Sequence, residues 1–250
     1  VYPGDGTGDY SAVLIGPKAF LIPNSDGLAA SSVTAPDVLS ASDLIADGYF
    51  VGVVGGPNKA FIPNGFGGTP EYPLGDANDM SATQDVEYID VDGDTYPDIV
   101  IANSDGPDRL ILTSMFYGDG VNSPSPGTAP RPLDTAAYAS PGVVLGSAEL
   151  PTRDIEVADL DGDGIADFVI ATSDGSNKVI YNGGASSPED LATFPAVDVG
   201  GPQSSQTVEV LDVDGDGDMD TVFGKTDQTA STYFNDLAEV GDLLGGSLVE

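Results

Sequence analysis

A pattern of two short apolar segments joined by a turn recurs five times along this chain. Each copy places Gly, Pro, Asp or Asn between its apolar segments, and such residues between apolar runs predict a β-hairpin. The copies span residues 12–24, 51–64, 98–114, 167–182 and 220–235. Spacings of 39, 47, 69 and 53 residues separate the first segments, measured at Leu14, Val53, Val100, Val169 and Val222. A chain with this repeat is expected to build its fold from similar hairpin units.

Further strand-like segments surround the hairpins. Short apolar segments follow three of them, at residues 71–74, 142–145 and 195–199. Alternating apolar and polar residues, as in half-buried strands, precede the last three hairpins at residues 86–89, 155–158 and 208–211. Four strands in a repeat of ~40 to 50 residues are typical of a propeller blade, which buries its faces against neighbouring blades.

We therefore predict an all-β fold, a single β-propeller domain over residues 1–250 with four-stranded antiparallel blades. About five blades are expected from the five hairpins, and six is the alternative count. A β-solenoid is the competing architecture, although its rungs are usually shorter than these repeats.

The net charge limits the partners of this chain. It has 41 Asp and Glu against 7 Lys and Arg, a formal charge of −34 at pH 7, while 40% of its residues are hydrophobic. This composition indicates an acidic folded protein rather than a disordered acidic tail. Its surface would repel nucleic acid phosphates and anionic lipid headgroups and would attract cations. No apolar run approaches the ~18 residues of a membrane span, so we predict neither a nucleic-acid partner nor a transmembrane segment.

Two missing residue types narrow the choice of cation. The chain contains 0 Cys and 0 His. It therefore has no thiolate or imidazole metal ligand, no disulfide and no histidine-based catalytic triad. Hard cations with oxygen ligands are the remaining candidates.

An aspartate-rich nonapeptide precedes the first apolar segment of the last three hairpins. Its copies are DVDGDTYPD, DLDGDGIAD and DVDGDGDMD, at residues 90–98, 159–167 and 212–220. Carboxylates occupy positions 1, 3, 5 and 9 of each copy, and this alternation lets a curled loop direct every second side chain inward. Position 4 is glycine, which permits the curl. Position 7, occupied by Tyr96, Ile165 and Asp218, would add a main-chain carbonyl.

Five or more oxygen ligands at one point match the coordination of Ca²⁺, whereas Mg²⁺ retains several waters. An EF-hand loop requires Glu at position 12 and flanking helices. Position 12 here is Ile101, Ile170 or Phe223, inside a predicted strand. The pattern therefore predicts calcium loops that lead directly into β-strands.

Three such loops in a repeated four-stranded unit resemble the FG-GAP/VCBS repeats of integrin α-chain propellers and of many secreted microbial and algal proteins. The resemblance covers about residues 43 to 235. In that family the loop joins the first and second strands of a blade and binds calcium. The resemblance therefore implies about three calcium ions, with carboxylate ligands Asp90, Asp92, Asp94 and Asp98 in the first loop, Asp159, Asp161, Asp163 and Asp167 in the second, and Asp212, Asp214, Asp216 and Asp220 in the third.

The first two repeats depart from this pattern. The segment ADGYFVG around Asp47 lacks the aspartate series, and Asp5 and Asp9 have a different spacing. We predict that these two units hold no calcium.

The predicted calcium ions act as braces, because the loop itself supplies the ligands and no reactive group lies at a fixed spacing from them. We therefore predict a non-catalytic, calcium-stabilised module for protein interaction, adhesion or assembly. A polysaccharide-active enzyme is the weaker alternative, since the many remaining acids make chance carboxylate pairs common. Dependence on calcium favours an extracellular location or a secretory or organellar lumen, and the acidity also fits a saline setting.

A proline-rich insertion, Tyr117 to Tyr138, accounts for the long 69-residue spacing. It is the candidate surface for another protein or a larger assembly, and a solvated linker is the equally supported alternative. Carbohydrate binding through Phe66 or Tyr72 is the second candidate function. Trp is absent, and a core position is favoured for both aromatic residues.

Overall fold

The computed structural model describes residues 9–15, 18–24, 30–34, 49–61, 71–91, 98–112, 142–146, 150–183, 196–226 and 228–235. Every regular element in these ranges is a β-strand, and none of them contains a helix with the length and hydropathy of a membrane span. The strands are β1 (Asp9–Ile15), β2 (Lys18–Asn24), β3 (Ala30–Thr34), β4 (Tyr49–Val53), β5 (Asn58–Phe61), β6 (Glu71–Leu74), β7 (Thr83–Ile89), β8 (Asp98–Asn103), β9 (Arg109–Ile111), β10 (Val143–Val144), β11 (Thr152–Ala158), β12 (Asp167–Thr172), β13 (Asn177–Ile180), β14 (Val197–Val199), β15 (Ser205–Leu211), β16 (Asp220–Lys225) and β17 (Ser231–Tyr233).

The strands form antiparallel sheets in which each strand pairs with the next one in the sequence. We name them sheet A (β1–β2), sheet B (β3–β6), sheet C (β7–β10), sheet D (β11–β14) and sheet E (β15–β17). Sheets B, C and D have four strands and sheet E has three. The predicted all-β class and the antiparallel sheets are confirmed.

Hairpins form at the five positions of the sequence repeat, by the pairs β1–β2, β4–β5, β8–β9, β12–β13 and β16–β17. An Asn or Asp side chain closes the turn in three of them. The acceptor is Asn58 Oδ1 for the N–H of Val53 (2.8 Å), Asp108 Oδ1 for the N–H of Asn103 (2.7 Å) and Asn177 Oδ1 for the N–H of Thr172 (3.1 Å). A side chain thus satisfies a buried amide that the tight turn leaves without a backbone partner.

The hydrophobic core lies between neighbouring sheets. Phe50 and Leu74 of sheet B pack in one cluster with Ile99 of sheet C. Similar clusters join sheet C to sheet D and sheet D to sheet E. The second strands of sheets C and D are buried on both faces, since every residue of β8 and β12 is buried. Each sheet therefore depends on its neighbours to remove its apolar faces from water.

The first strands of successive sheets lie next to one another. β3 lies beside β7, β7 beside β11, and β11 beside β15, although they belong to four different sheets. Side chains of these strands consequently meet across the boundary between sheets.

A hydrogen bond between sheets recurs after the third strand. Asn182 follows β13, and its Nδ2 donates to the backbone carbonyl of Val91 in sheet C at 3.1 Å. Asn235 follows β17, and its Nδ2 donates to the carbonyl of Leu160 in sheet D at 2.6 Å. Both asparagine side chains are buried. Since Val91 and Leu160 lie in the aspartate-rich segments, each of these two sheets anchors the loop of the sheet before it.

Candidate metal centre

Two of the three aspartate-rich loops are fully described, and they occupy equivalent places. Residues 159–167 connect β11 to β12, and residues 212–220 connect β15 to β16. In both sheets the loop therefore joins the first strand to the second, and its last residue is the first residue of the second strand.

The carboxylates at positions 1, 3 and 5 come together in both loops. One oxygen from each of Asp159, Asp161 and Asp163 lies within 4.8 Å of the others, and the same holds for Asp212, Asp214 and Asp216. The first triad is partly buried and the second is exposed. Clustered carboxylate oxygens of this kind suit a hard cation such as Ca²⁺.

Hydrogen bonds within the loop hold this curled shape. Asp159 accepts the N–H of Gly162 at Oδ1 (2.8 Å) and the N–H of Gly164 at Oδ2 (2.9 Å). The N–H groups of positions 5 and 7 donate to the carboxylates two residues earlier. The third loop repeats all four bonds, with Asp212, Asp214 and Asp216 as acceptors. The alternating aspartates therefore shape the loop as well as offering oxygen ligands.

Glycine at position 6 is required by the backbone. Gly164 has φ +87° and Gly217 has φ +101°, in addition to the left-handed glycines Gly162 and Gly215 at position 4. The first loop has Thr95 at position 6, where an L side chain disfavours this conformation. The first loop thus differs in sequence from the other two at position 6. Its own backbone at this position belongs to residues 92–97, which lie outside the described ranges.

Replacing Gly164 by alanine tests this backbone requirement. A Cβ at Gly164 would have no atom within 4 Å, so the cost comes from the φ of +87° alone. We expect about 1 kcal/mol of strain, equivalent to roughly fivefold weaker calcium binding at this loop. Gly183→Ala is the matched control, because its Cβ also meets no atom within 4 Å and its φ is outside the left-handed range. Calorimetric calcium titration measures the difference, and equal affinities in the two variants would contradict it.

The aspartate at position 9 has a different environment from the triad. Asp98, Asp167 and Asp220 are 0% exposed. Asp167 accepts the N–H of Leu160 at Oδ2 and the N–H of Asn182 at Oδ1, both at 2.8 Å. Asp220 makes the same two bonds to Val213 and Asn235, and Asp98 accepts the N–H of Val91 at 3.0 Å. Position 9 thus ties the loop to the end of the third strand and lies outside the group of three clustered carboxylates.

The electrostatics of the second loop show strain among like charges. Burial raises the pKa of Asp161, and the nearby carboxylates of Asp163 and Asp159 raise it further. Burial raises the pKa of Asp167 to about 6, although the N–H groups of Asn182 and Leu160 act in the opposite direction. A bound cation would relieve this repulsion and favour the ionised carboxylates.

The structure describes some of the other predicted ligands and not others. Ile165 and Asp218, at position 7, donate their N–H groups to Asp163 and Asp216. In the first loop the structure describes Asp90 and Asp98, while Asp92, Asp94 and Tyr96 lie outside the described residues. Phe66, Asp5, Asp47 and the insertion from Tyr117 to Tyr138 also lie outside them. Tyr72 is half-buried and packs against the cluster around Phe50, as expected for a core position.

Sequence reasoning did not identify three features of this region. It missed the bonds by which position 9 ties the loop to the end of the third strand, the asparagine bonds between sheets, and the buried carboxyl of Asp108. For the asparagine bonds, the available signal was the Asn that ends four of the five hairpin segments, among them Asn182 and Asn235. For Asp108, the signal was a carboxylate at the turn position where Asn58 and Asn177 stand.

Comparison with known families agrees with this geometry. Residues 159–223 match the family model described as an FG-GAP-like repeat. The matched span begins at the first aspartate of the second loop, contains both carboxylate triads, and ends in β16. No curated protein matches the chain. The two equivalent acidic loops, each entering a buried second strand, therefore lie within the residues that are similar to an FG-GAP-like repeat.

Proposed function

We propose that this protein is a non-catalytic interaction module stabilised by calcium ions in its aspartate-rich loops. The observation that carries this proposal is the pair of equivalent carboxylate triads within the FG-GAP-like repeat. All the clustered donors are carboxylate oxygens, which fits a hard cation. In both loops the clustered carboxylates also accept backbone N–H groups of the loop itself, which favours a structural role for the cation.

Residues at positions 1, 3 and 5 would hold calcium in the second and third loops, and the first loop has the same carboxylate spacing. Calcium would supply positive charge that offsets the repulsion within each triad. The chain itself holds the loop in shape, because the carboxylates also accept loop N–H groups and the aspartate at position 9 ties the loop to its sheet. At a free calcium concentration ~1000 times the dissociation constant, binding would add about 4 kcal/mol of stability per site.

Metal analysis and thermal melting test the calcium proposal. We expect about three calcium ions per chain after equilibrium dialysis, and a melting temperature that falls by several degrees when calcium is chelated. Asp161→Asn should remove one ion, whereas Asp174→Asn, at an exposed turn outside the loops, should remove none. Fewer than two bound ions together with an unchanged melting temperature would overturn the proposal.

We propose that the sheets are blades of one β-propeller. Support comes from the adjacent first strands, the apolar clusters between sheets and the repeated asparagine bonds. Val91, Leu160 and Val213 occupy position 2 of their loops. Val91 and Leu160 are 0% and 1% exposed, whereas Val213 is 44% exposed. We propose that sheet A covers Val213. Asn24 ends β2 and its hairpin segment, as Asn182 and Asn235 end theirs.

Cysteine cross-linking tests this ring closure, since the chain has 0 Cys of its own. A short bismaleimide should link the pair Asn24→Cys and Val213→Cys within one chain. The pair Thr207→Cys and Asp154→Cys is the positive control, because the native side chains hydrogen-bond at 2.6 Å between sheets E and D at an exposed position. A link in the control pair alone would argue against closure by sheet A.

The FG-GAP-like repeat supports a role in protein interaction or adhesion at an extracellular or luminal location. The proposed contact surface is the insertion from Tyr117 to Tyr138. Replacing it by a short Gly-Ser linker should abolish capture of the partner protein and leave calcium binding unchanged. If this variant still captured the partner protein, the contact surface would lie outside the insertion.

A further inference from the structure

Carboxyl groups recur on the first strands of sheets C, D and E. Asp85 and Asp154 are the third residues of β7 and β11, and Glu87, Glu156 and Glu209 are the fifth residues of β7, β11 and β15. We call these five groups the inner carboxyl cluster. They come close together because β11 lies between β7 and β15.

Hydrogen bonds connect this cluster across four sheets. Ser32 Oγ of sheet B donates to Asp85 Oδ1 at 2.7 Å, and Thr207 Oγ1 of sheet E donates to Asp154 Oδ2 at 2.6 Å. Asp154 lies close enough to act on Asp85: burial raises the pKa of Asp85, and the charge of Asp154 together with a hydrogen bond between the two carboxyls raises it further. A bond between two carboxyls requires that one of them carry a proton. The contacts from sheet B to sheet E therefore pass through two neighbouring carboxyls, which would repel each other if both were ionised.

Among the residues that the structure describes, the sequence neighbours of this cluster include one basic side chain, Arg153, and the ion pairs of the other basic residues lie elsewhere. Arg153, beside Asp154, donates to Gln84 Oε1 at 3.1 Å. The ion pairs recorded for the described residues join Lys59 to Glu71, Arg109 to Asp79 and Lys178 to Asp198. The charged groups on the second strands packed against the cluster are Asp98, Asp167, Asp220 and Lys225. Their recorded bonds lead to loop and asparagine N–H groups, or to Ser231 in the case of Lys225.

Proton affinity within the cluster is high. Burial, followed by the charges of Asp85, Glu156 and Asp154, raises the pKa of Glu87 to about 8. Burial and the charges of Asp154, Glu209 and Asp85 raise the pKa of Glu156 to about 7. Burial is also the main reason that the pKa of Asp85 is raised to about 6.

We propose that the inner carboxyl cluster is a pH-sensitive contact between sheets, which shares protons in neutral and mildly acidic conditions and weakens as its carboxyls ionise in alkaline conditions. Shared protons convert repulsion between neighbouring strands into hydrogen bonds. Full ionisation leaves five negative charges on three adjacent strands. This inference is independent of the calcium loops, because all five groups lie at least three residues from them.

The direction of the pH effect follows from the raised pKa values. A carboxyl whose pKa is higher in the folded state binds more protons folded than unfolded, so the stability of the protein falls as pH rises through that range. The range here extends from the unfolded value of about 4 to the folded values of about 6 to 8.

Thermal melting between pH 6 and pH 9 in saturating calcium tests the proposal, since the loops then stay loaded throughout. We expect the melting temperature of the unaltered chain to fall by roughly 5 °C or more over this range. The double variant Glu87→Gln with Glu156→Gln should melt higher than the unaltered chain at pH 9 and show a smaller pH dependence. Asp174→Asn, an exposed acid outside the cluster, should leave the pH dependence unchanged. Equal pH slopes in the double variant and the unaltered chain would overturn the proposal.

A second measurement does not depend on the variants folding. Carbon-13 NMR of the glutamate side-chain carboxyls, recorded on the unaltered calcium-loaded chain, follows each titration directly. We expect at least two glutamates with midpoints above pH 6. Midpoints of all glutamates near their ordinary value of about 4.3 would also overturn the proposal.

Discussion

Replacing Asp167 by alanine is expected to lower the melting temperature strongly whether or not calcium is present. Its two carboxylate oxygens accept the N–H groups of Leu160 and Asn182 at 2.8 Å, and the side chain is fully buried. Alanine would leave both buried donors without an acceptor, at a cost of about 2 to 5 kcal/mol in the free energy of unfolding. Chemical denaturation with and without a calcium chelator measures this effect.

Asp161→Ala is the matched comparison, because Asp161 belongs to the triad of the same loop. Its loss should weaken calcium binding and lower stability mainly when calcium is present. The difference between the two variants separates the structural bonds of position 9 from metal binding. If Asp167→Ala were destabilising only in calcium, position 9 would act chiefly as a ligand.

Asp108→Asn is expected to stabilise the protein at pH 8 and to have little effect at pH 4 and below. Asp108 is 2% exposed; burial raises its pKa to about 7, although the N–H of Asn103 and the hydroxyl of Thr152 act in the opposite direction. Because the folded pKa is above the unfolded value of about 3.9, this group lowers stability progressively as pH rises from about 4 to above 7. The cost at pH 8 is up to about 4 kcal/mol.

Asparagine suits the position of Asp108. Asn58 and Asn177 close the corresponding turns of sheets B and D through their own Oδ1 atoms. The new amide could donate to Thr152 Oγ1, which now donates to Asp108 Oδ2 at 2.8 Å. Denaturation at several pH values, with Asp174→Asn as the exposed control, measures the effect. A variant less stable than the unaltered chain at pH 8 would contradict it.

The sequence predicted the local parts of this structure well. Alternating aspartates with glycine at position 4 predicted curled acidic loops, and positions 1, 3 and 5 do come together in the two loops that the structure describes. Apolar runs flanking turn residues predicted the hairpins. Both signals depend on residues close in the chain, where spacing determines geometry.

Features that depend on contacts between sheets were harder to predict. Asp85 and Glu87 alternate with apolar residues, as they would on the solvent side of a half-buried strand. Their burial arises because β7 lies beside the first strands of two other sheets. Likewise, the bond from Asp167 to Asn182 joins residues 15 positions apart, a distance at which sequence spacing no longer determines contact.

The asparagine bonds between sheets predict the order in which the sheets unfold. Asn182 of sheet D anchors the loop of sheet C, and Asn235 of sheet E anchors the loop of sheet D. The loop of sheet E would be anchored in the same way only by sheet A, whose closure of the ring is proposed above. Loss of sheet E would release the carbonyl of Leu160 and expose the loop of sheet D to water. Once a stretching force has separated sheet A from sheet E, we therefore expect opening to proceed from sheet E toward sheet C, one loop at a time.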